Sequence, residues 1–303
     1  MTTAFLFAGQ GSQYVGMGKD FYEKYPSARS VYDQIHMDFD VKDVCFNGPK
    51  EKLQDTAYTQ SCVAATSLAI AAVLNELNIH AEYTAGLSLG EYTALTYAGA
   101  MSVDQVLPLV RKRGLIMAEA LPAGTTTMMA VIRPDVEVIE QVCQEVTHDA
   151  EICTIANYNS PKQIVITGTV GACSEAKELL EKQKMRVIPL KVSGAFHSPL
   201  LKEASRKFLN DLNQVHFRPR HVKVVFNVSG QEETRPLPEL LSAQMCSSVR
   251  FTQTIEYMKA HGVDTFIEIG PGHTLSKLVK QTAPDVQVYS IDRVEDLEAL
   301  PHV

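Results

Sequence analysis

The motif G-L-S-L-G at residues 86–90 constrains the fold more than any other stretch of the chain. It follows a short apolar run that begins at Tyr83 and precedes small residues that extend to about Ala98, a pattern that predicts a strand, a tight turn and a helix. A serine between two glycines in such a turn is typical of a nucleophile elbow, which raises the Ser88 hydroxyl above the sheet. The amide of Leu89 would then point to where an oxyanion develops. The alternative is an N-cap serine in a glycine-rich turn.

The rest of the chain alternates strand-like and helix-like segments. Such alternation implies an α/β fold with a mostly parallel sheet that helices cover on both faces. We assign residues 1–124 and 194–303 to one large domain with an acidic, frayed tail. Its predicted strands are 4–8, 83–86, 222–227, 265–269 and 286–291, and its main predicted helices are 20–36, 62–79, 103–119, 199–213, 237–246 and 251–261.

Residues 125–193 have a different order of strand-like and helix-like segments, which predicts a small domain inserted into the large one. The predicted order is strand, helix, strand, strand, helix, strand. This βαββαβ order is that of a ferredoxin-like module. The predicted strands are 127–132, 151–157, 163–167 and 186–191, and the predicted helices are 135–147 and 170–182.

Composition excludes several classes of function. The formal net charge of −7 argues against a nucleic-acid-binding surface. The longest apolar run, Cys62–Leu74, is shorter than the ~20 residues of a membrane-spanning helix, so we expect no membrane contact. The six cysteines have no metal-ligand spacing, and the amino terminus has no basic region typical of a signal peptide. We therefore expect a cytoplasmic protein with no metal and no cofactor.

A serine nucleophile needs a base, and nine histidines are available. His197 stands out because it lies in a Gly/Ala loop where the inserted domain returns the chain to the large one, and catalytic residues favour such seams. His273, in G-P-G-H, is the next candidate, although a helix start explains it better. Gln10, between two glycines after the first strand, could present an amide to an anion. On these residues alone an ordinary strand-to-helix turn is favoured.

Seven ordered motifs give the whole chain a resemblance to one family. Together they resemble the malonyl-CoA:acyl carrier protein transacylase family, which includes the acyltransferase domains of polyketide and fatty-acid synthases. The resemblance implies an α/β-hydrolase-like large domain with a ferredoxin-like insert. The motifs are FLFAGQGSQ with GMG at 5–18, YTQ at 58–60, GLSLGEYTAL at 86–95, RG at 113–114, NYNSPKQIVITG at 157–168, VSGAFHSPL at 192–200 and EIGPGHTLS at 268–276.

The resemblance also implies roles for individual residues. Ser88 would be the nucleophile and His197 the base. The main-chain amides of Gln10 and Leu89 would form the oxyanion hole. Gln244 falls where the family orients the catalytic histidine through a main-chain carbonyl, so that no aspartate completes a triad.

Three further positions are implied to bind substrate: Arg113, Gln60 and Phe196. Arg113 would hold the free carboxylate of malonate. Phe196 occupies the place where malonyl-selective members carry Phe and methylmalonyl-selective members carry Ser. One position departs from the pattern, because Leu87 stands where many members have histidine before the nucleophile.

These expectations describe a monomer that moves malonyl from malonyl-CoA to acyl carrier protein through a seryl ester, in fatty-acid biosynthesis. The alternatives are a trans-acting acyltransferase of a polyketide pathway, a serine esterase or thioesterase, and a carrier-protein docking module with an inactive site. An esterase would have a carboxylate partner for His197 and an apolar tunnel in place of Arg113. Two basic clusters could bind an acidic carrier protein or be ordinary solvated faces: Lys182, Lys184 and Arg186, and Lys202, Arg206 and Lys207.

Overall fold

The computed structural model describes residues 2–190 and 194–301. Strands and helices alternate along most of the described chain. The strands are β1 (Thr3–Phe7), β2 (Tyr83–Gly86), β3 (Thr126–Ile132), β4 (Cys153–Ser160), β5 (Gln163–Thr169), β6 (Arg186–Pro189), β7 (Lys223–Val224), β8 (Thr265–Ile269) and β9 (Gln287–Ile291).

Helices surround these strands. They are α1 (Lys19–Lys24), α2 (Pro26–Asp33), α3 (Val41–Asn47), α4 (Lys50–Gln54), α5 (Thr56–Glu76), α6 (Leu89–Tyr97), α7 (Val103–Glu119), α8 (Val136–Glu145), α9 (Val170–Lys182), α10 (Lys202–Leu212), α11 (Leu237–Cys246), α12 (Phe251–Ala260) and α13 (Thr274–Thr282). Short 3-10 helices lie at Pro199–Leu201 and Val294–Ala299.

The main sheet is parallel and has the strand order β7-β2-β1-β8-β9. All five residues of β1 are buried because helices cover both faces of the sheet. The predicted α/β fold with a parallel sheet is therefore confirmed. In such sheets the carboxyl ends of the strands meet at one edge, and here that edge carries the turns after β1, β2 and β8.

A second, antiparallel sheet has the order β4-β5-β3-β6. With α8 and α9 its elements run β-α-β-β-α-β, the order that the sequence predicts for this segment. Its own apolar cluster includes Val131, Ile139, Ile166 and Leu180. The predicted last strand ends two residues early, at Pro189, and Lys191 and the predicted domain end at 193 lie outside the described residues.

Helix α5 is the central helix of the large apolar core. It is long and apolar enough to cross a membrane, and 83% of the residues in its most apolar window are buried inside the protein. A buried core helix has the same length and composition as a membrane span. It starts six residues before the predicted run at Cys62, where the Asp55 carboxylate accepts a hydrogen bond from Ala57 N at 2.9 Å.

Three predictions for the large domain are wrong. The helix predicted over residues 20–36 is two helices, because Tyr25 is extended before Pro26 and proline cannot continue the hydrogen-bond ladder. The strand predicted over 222–227 pairs only at Lys223–Val224, since the chain turns back at Phe226 to bond Gln231. The short helices α3 and α4 were not predicted. The acidic tail, predicted to be frayed, contains a 3-10 helix at Val294–Ala299.

Candidate active site

Ser88 sits in a strained turn between β2 and α6. Its φ of 55° and ψ of −101° lie outside the regions that L-residues normally adopt, which costs about 1–3 kcal/mol. The flanking glycines are required because a Cβ on Gly86 would lie 2.0 Å from the carbonyl carbon of Gly90, and a Cβ on Gly90 would lie 2.0 Å from Phe7 O. The local sequence thus forces the geometry of a nucleophile elbow.

His197 lies against Ser88 across the sheet edge. Its Nε2 is 2.8 Å from Ser88 Oγ, and its Nδ1 is 2.9 Å from the main-chain carbonyl of Gln244. A carbonyl oxygen only accepts hydrogen bonds, so Nδ1 carries the proton and the lone pair of Nε2 faces the serine hydroxyl. His273, the other candidate, is exposed at the start of α13.

The environment keeps His197 neutral. Burial, together with the nearby positive charge of Arg113, lowers the pKa of His197 to about 4, although the hydrogen bond to the Gln244 carbonyl opposes this. At neutral pH the imidazole therefore holds one proton, on Nδ1. It is in the state that can accept a proton from Ser88.

Arg113 is buried to 1% exposure beside the same serine. Its Nη1 donates to Gln60 Oε1 at 2.9 Å, and its Nη2 donates to Ser88 Oγ and Gln244 Oε1, each at 3.0 Å. All three acceptors are neutral oxygens, so the cation is held by hydrogen bonds and by the ring of Tyr92, 5.2 Å away. Burial lowers the pKa of the guanidinium, which nevertheless stays charged.

The two amides predicted to form the oxyanion hole belong to two turns that contact each other. Gly9 lets the turn after β1 approach the elbow, because a Cβ there would lie 2.7 Å from Leu87 O. Within residues 2–190 and 194–301, neither the amide of Gln10 nor that of Leu89 donates to a protein acceptor. The Gln10 side chain is held by Thr56 and by Gln60, with Gln60 Nε2 lying 3.3 Å from Gln10 Oε1.

Comparison with known proteins shows the family to which this chain belongs. The profile of the acyl transferase domain matches residues 4–299, almost the whole sequence. The chain belongs to the acyl transferase domain family. Together with the relatives described next, this match confirms the resemblance noted from the motifs.

Relatives of this acyl transferase carry more specific names. A malonyl CoA-acyl carrier protein transacylase of Bacillus subtilis is 41% identical over 300 residues, 97% of this chain and 95% of that one. The crystal structure of a malonyl CoA-acyl carrier protein transacylase from Clostridium perfringens superposes with a TM-score of 0.96 at 38% identity, over 99% of this chain and 96% of that one. A malonyl-transacylase in complex with a type II PKS acyl-carrier protein superposes with a TM-score of 0.94 at 33% identity, over 99% and 98% of the two chains.

Phe196 and Leu87 lie at the margins of the acyl transferase site. Phe196 is half-buried and packs on Met128 and Val165 of the small sheet, so it marks the seam between the two sheets. Leu87 packs on the apolar cluster beneath β2. Its backbone carbonyl and its side chain both approach Gly9, in the turn that carries Gln10.

Sequence reasoning missed two residues of the site, Glu91 and Asn227. Glu91 is fully buried, and burial raises the pKa of its carboxyl to about 8 although Arg113 and the Asn227 amide oppose this. Its Oε2 accepts from Asn227 N at 2.5 Å. A carboxylate in the small, apolar run L-S-L-G-E-Y-T-A-L was a signal that the sequence offered. Asn227 carried none, because its contacts depend on long-range folding.

Proposed function

We propose that this protein transfers malonyl from malonyl-CoA to the phosphopantetheine thiol of acyl carrier protein through a malonyl ester on Ser88. The observation that carries the proposal is the position of Ser88 Oγ, within hydrogen-bond distance of both a neutral histidine and a buried arginine. The names of the relatives support the same reaction.

In the first half-reaction Ser88 Oγ attacks the thioester carbonyl carbon and gives its proton to His197 Nε2. The Gln10 and Leu89 amides would hold the resulting oxyanion, each contributing roughly 3 kcal/mol to the transition state. The C–S bond then breaks, and the coenzyme A thiolate leaves with the proton from His197. The Gln244 carbonyl stabilises the imidazolium through Nδ1–H.

The second half-reaction reverses these roles with a new thiol. His197 takes the proton of the phosphopantetheine thiol, and the phosphopantetheine sulfur attacks the carbonyl carbon of the seryl ester. Collapse of the second oxyanion breaks the bond to Ser88 Oγ, which recovers the proton from His197. One base therefore serves both steps.

Arg113 gives the reaction its acyl selectivity. A guanidinium meets a planar carboxylate with two parallel charge-assisted hydrogen bonds, whereas a neutral acyl group would leave a buried cation unsatisfied. Gln60, bonded to Nη1, orients the guanidinium. Phe196, half-buried at the seam, would crowd an α-methyl substituent, so we assign it to discrimination against methylmalonyl.

The esterase alternative is less well supported by the contacts. An esterase triad places a carboxylate on histidine Nδ1, whereas His197 Nδ1 bonds the carbonyl of Gln244. An apolar acyl tunnel is also incompatible with a buried Arg113 beside the nucleophile. A docking module with an inactive site would not need Ser88 and His197 at 2.8 Å.

We further propose how the chain is organised and where it acts. The large unit, residues 1–124 and 194–303, is assigned to the α/β-hydrolase-like class, and residues 125–193 to the ferredoxin-like class. The strand order β4-β5-β3-β6 supports the second assignment. We assign the enzyme to fatty-acid biosynthesis as a cytoplasmic monomer. The burial of α5 inside the protein supports a place for that helix in the core rather than in a membrane.

The test is to trap the seryl ester. The protein is incubated with labelled malonyl-CoA and digested, and the labelled peptide is identified by mass spectrometry. We expect label on Ser88, rapid release by holo acyl carrier protein and slow release by water. Ser88→Ala should carry no label, His197→Ala should load far more slowly, and His273→Ala should behave as wild type. Label retained by Ser88→Ala, or release by water as fast as by the carrier protein, would rule the proposal out.

A further inference from the structure

The side chain of Asn227 closes the turn that holds Ser88. Its Oδ1 accepts from Ser88 N at 2.7 Å, and its Nδ2 donates to Gly86 O, also at 2.7 Å. The carboxamide therefore satisfies one polar main-chain group on each side of Leu87. It is fully buried, so water cannot replace either hydrogen bond.

This contact continues the sheet where the backbone ladder stops. Strand β2 pairs with β7 at Tyr83 and Thr84, and Val225 N still donates to Thr84 O at 3.0 Å. Beyond this point the chain after β7 turns back at Phe226, whose N–H donates to Gln231 O, while β2 stays paired with β1 as far as Gly86. The Asn227 side chain takes the place of the next backbone pair.

Asn227 is itself fixed by its own main chain. Its N–H donates to Glu91 Oε2 at 2.5 Å, and its carbonyl accepts from Arg250 N at 2.8 Å. Glu91 lies on α6, three residues after the serine. A closed circuit of hydrogen bonds thus runs from the elbow through Asn227 to the helix that follows the elbow.

We propose that Asn227, anchored by Glu91, is a positioning residue that holds Ser88 in the strained conformation in which its hydroxyl meets His197. It acts through the backbone of Ser88 and touches no reacting atom. Because it occupies the Ser88 N–H, that amide is withheld from the oxyanion, which leaves the amide of Leu89 next in the chain to serve there. The inference deepens the proposed function and rests on the assignment of Ser88 as nucleophile.

The sharpest test is Asn227→Asp, which keeps the shape and the acceptor for Ser88 N–H. An ionised carboxylate would set an oxygen against Gly86 O and disturb the elbow, whereas a protonated one would restore the donor. We expect malonyl loading about tenfold to a hundredfold slower than wild type at pH 7, with an unchanged KM for malonyl-CoA. The deficit should shrink toward pH 5, because burial raises the pKa of the new carboxyl.

The charged and titratable groups that face Asn227 keep the same charge from pH 5 to 7, so the titration of the new carboxyl can be seen in this range. Glu91 on α6 has its pKa raised to about 8, and His197 has its pKa lowered to about 4, so both are neutral from pH 5 to 7. Arg113, which reaches Asn227 through Gln244, stays cationic. A rate ratio between wild type and Asn227→Asp that stays constant from pH 5 to 7 would overturn the proposal.

A second variant and a matched control separate positioning from folding. Asn227→Ala removes both hydrogen bonds, and Thr84→Val removes another buried hydrogen bond of β2, from Thr84 Oγ1 to Phe5 O, outside the turn. We expect both variants to lower the melting temperature and only Asn227→Ala to slow acylation. Wild-type acylation in Asn227→Ala, or an equal loss in Thr84→Val, would contradict the inference.

The rate of Ser88 labelling by a fluorophosphonate gives a readout that does not use malonyl-CoA. A wild-type protein that reacts with the fluorophosphonate and not with malonyl-CoA would defeat the proposed function alone. The comparison of Asn227 variants would still decide whether this residue positions the serine. Labelling of Asn227→Ala at the wild-type rate would decide it against the proposal.

Discussion

Arg113 Nη2 lies 3.0 Å from Ser88 Oγ. One cation therefore reaches both the nucleophile and the space in which its acyl group would lie. In malonyl the carboxylate and the thioester carbonyl are separated by a single methylene, so a carboxylate bound to Arg113 would bring the carbonyl carbon close to Ser88. Binding of the carboxylate by Arg113 thus also positions the carbonyl carbon for attack by Ser88.

Arg113→Ala should reverse acyl selectivity. Malonyl loading should fall by about a hundredfold, and acetyl loading should rise relative to it, because the desolvated cation that penalises neutral acyl groups is gone. Loading rates with malonyl-CoA and acetyl-CoA measure this. Arg111→Ala is the control, since Arg111 lies on the same helix and pairs with Asp38 at the surface. Equal losses for both acyl groups would assign Arg113 to the structure alone.

The pH profile of malonyl loading should report the lowered pKa of His197. The base must be neutral, and its pKa of about 4 means that it stays neutral as pH falls through 6.5, where an ordinary histidine is half protonated. We expect kcat/KM for loading to stay constant from pH 7 to about pH 5 and to fall as pH falls through about 4, because kcat/KM reports the base of the free protein. Single-turnover loading measures the rate, and circular dichroism checks folding. Half-loss near pH 6.5 would contradict the buried, neutral state.

Ionisation of Glu91 should raise the KM for malonyl-CoA at alkaline pH. Its raised pKa of about 8 means that it is neutral at pH 7 and becomes an anion as pH rises through 8. That anion would compete with the malonyl carboxylate for the charge of Arg113, so the KM for malonyl-CoA should rise above pH 8. Glu91→Gln should abolish the rise. A rise that persists in the variant would exclude Glu91 as its source.

Phe196→Ser should lower the selectivity for malonyl over methylmalonyl. Removal of the ring gives room for an α-methyl group, so methylmalonyl loading should gain on malonyl loading by the ~1–3 kcal/mol that one methyl group contributes in a pocket. Competition between the two CoA esters measures the ratio. Equal use of both esters by the unmodified protein would show that the ring does not discriminate.

Charge reversal at Lys202, Arg206 and Lys207 should raise the KM for acyl carrier protein and leave loading unchanged. These side chains are exposed on α10, five residues and more beyond His197, and only a local basic patch can attract an acidic partner to a chain of net charge −7. Arg206 pairs with Glu203 at 2.6 Å, an exposed pair of little energetic weight.

The matched control for this docking surface is the other exposed basic cluster, Lys182, Lys184 and Arg186. Reversal there should have the smaller effect on transfer. Transfer should also weaken with added salt, which screens exposed charges beyond ~8 Å at physiological ionic strength. A rate of transfer to acyl carrier protein that does not change with salt would contradict docking on α10. A charge-reversed variant that loses loading and transfer equally would contradict it too.

Local interactions made much of this protein predictable from its sequence. The helix after Ser102 begins where predicted because Gln105, three residues on, accepts from the Ser102 amide at 3.0 Å. The elbow was predictable because only glycine fits at positions 86 and 90. The order of strands and helices followed from apolar periodicity, while the breaks at Pro26 and Phe226 depended on turns that periodicity does not register.

The chemistry of the site was decided by tertiary structure. His197 meets Gln244 across 47 residues and Ser88 across 109, and the Asn227 contact to Ser88 spans 139. No pattern along the chain encodes those approaches, which arise where the carboxyl ends of parallel strands converge. Only the family resemblance singled out Arg113 from the sequence, because without it a solvated helix residue beside Lys112 is the better interpretation. Burial made it a desolvated cation beside a nucleophile, because packing removes the water that would otherwise weaken its charge.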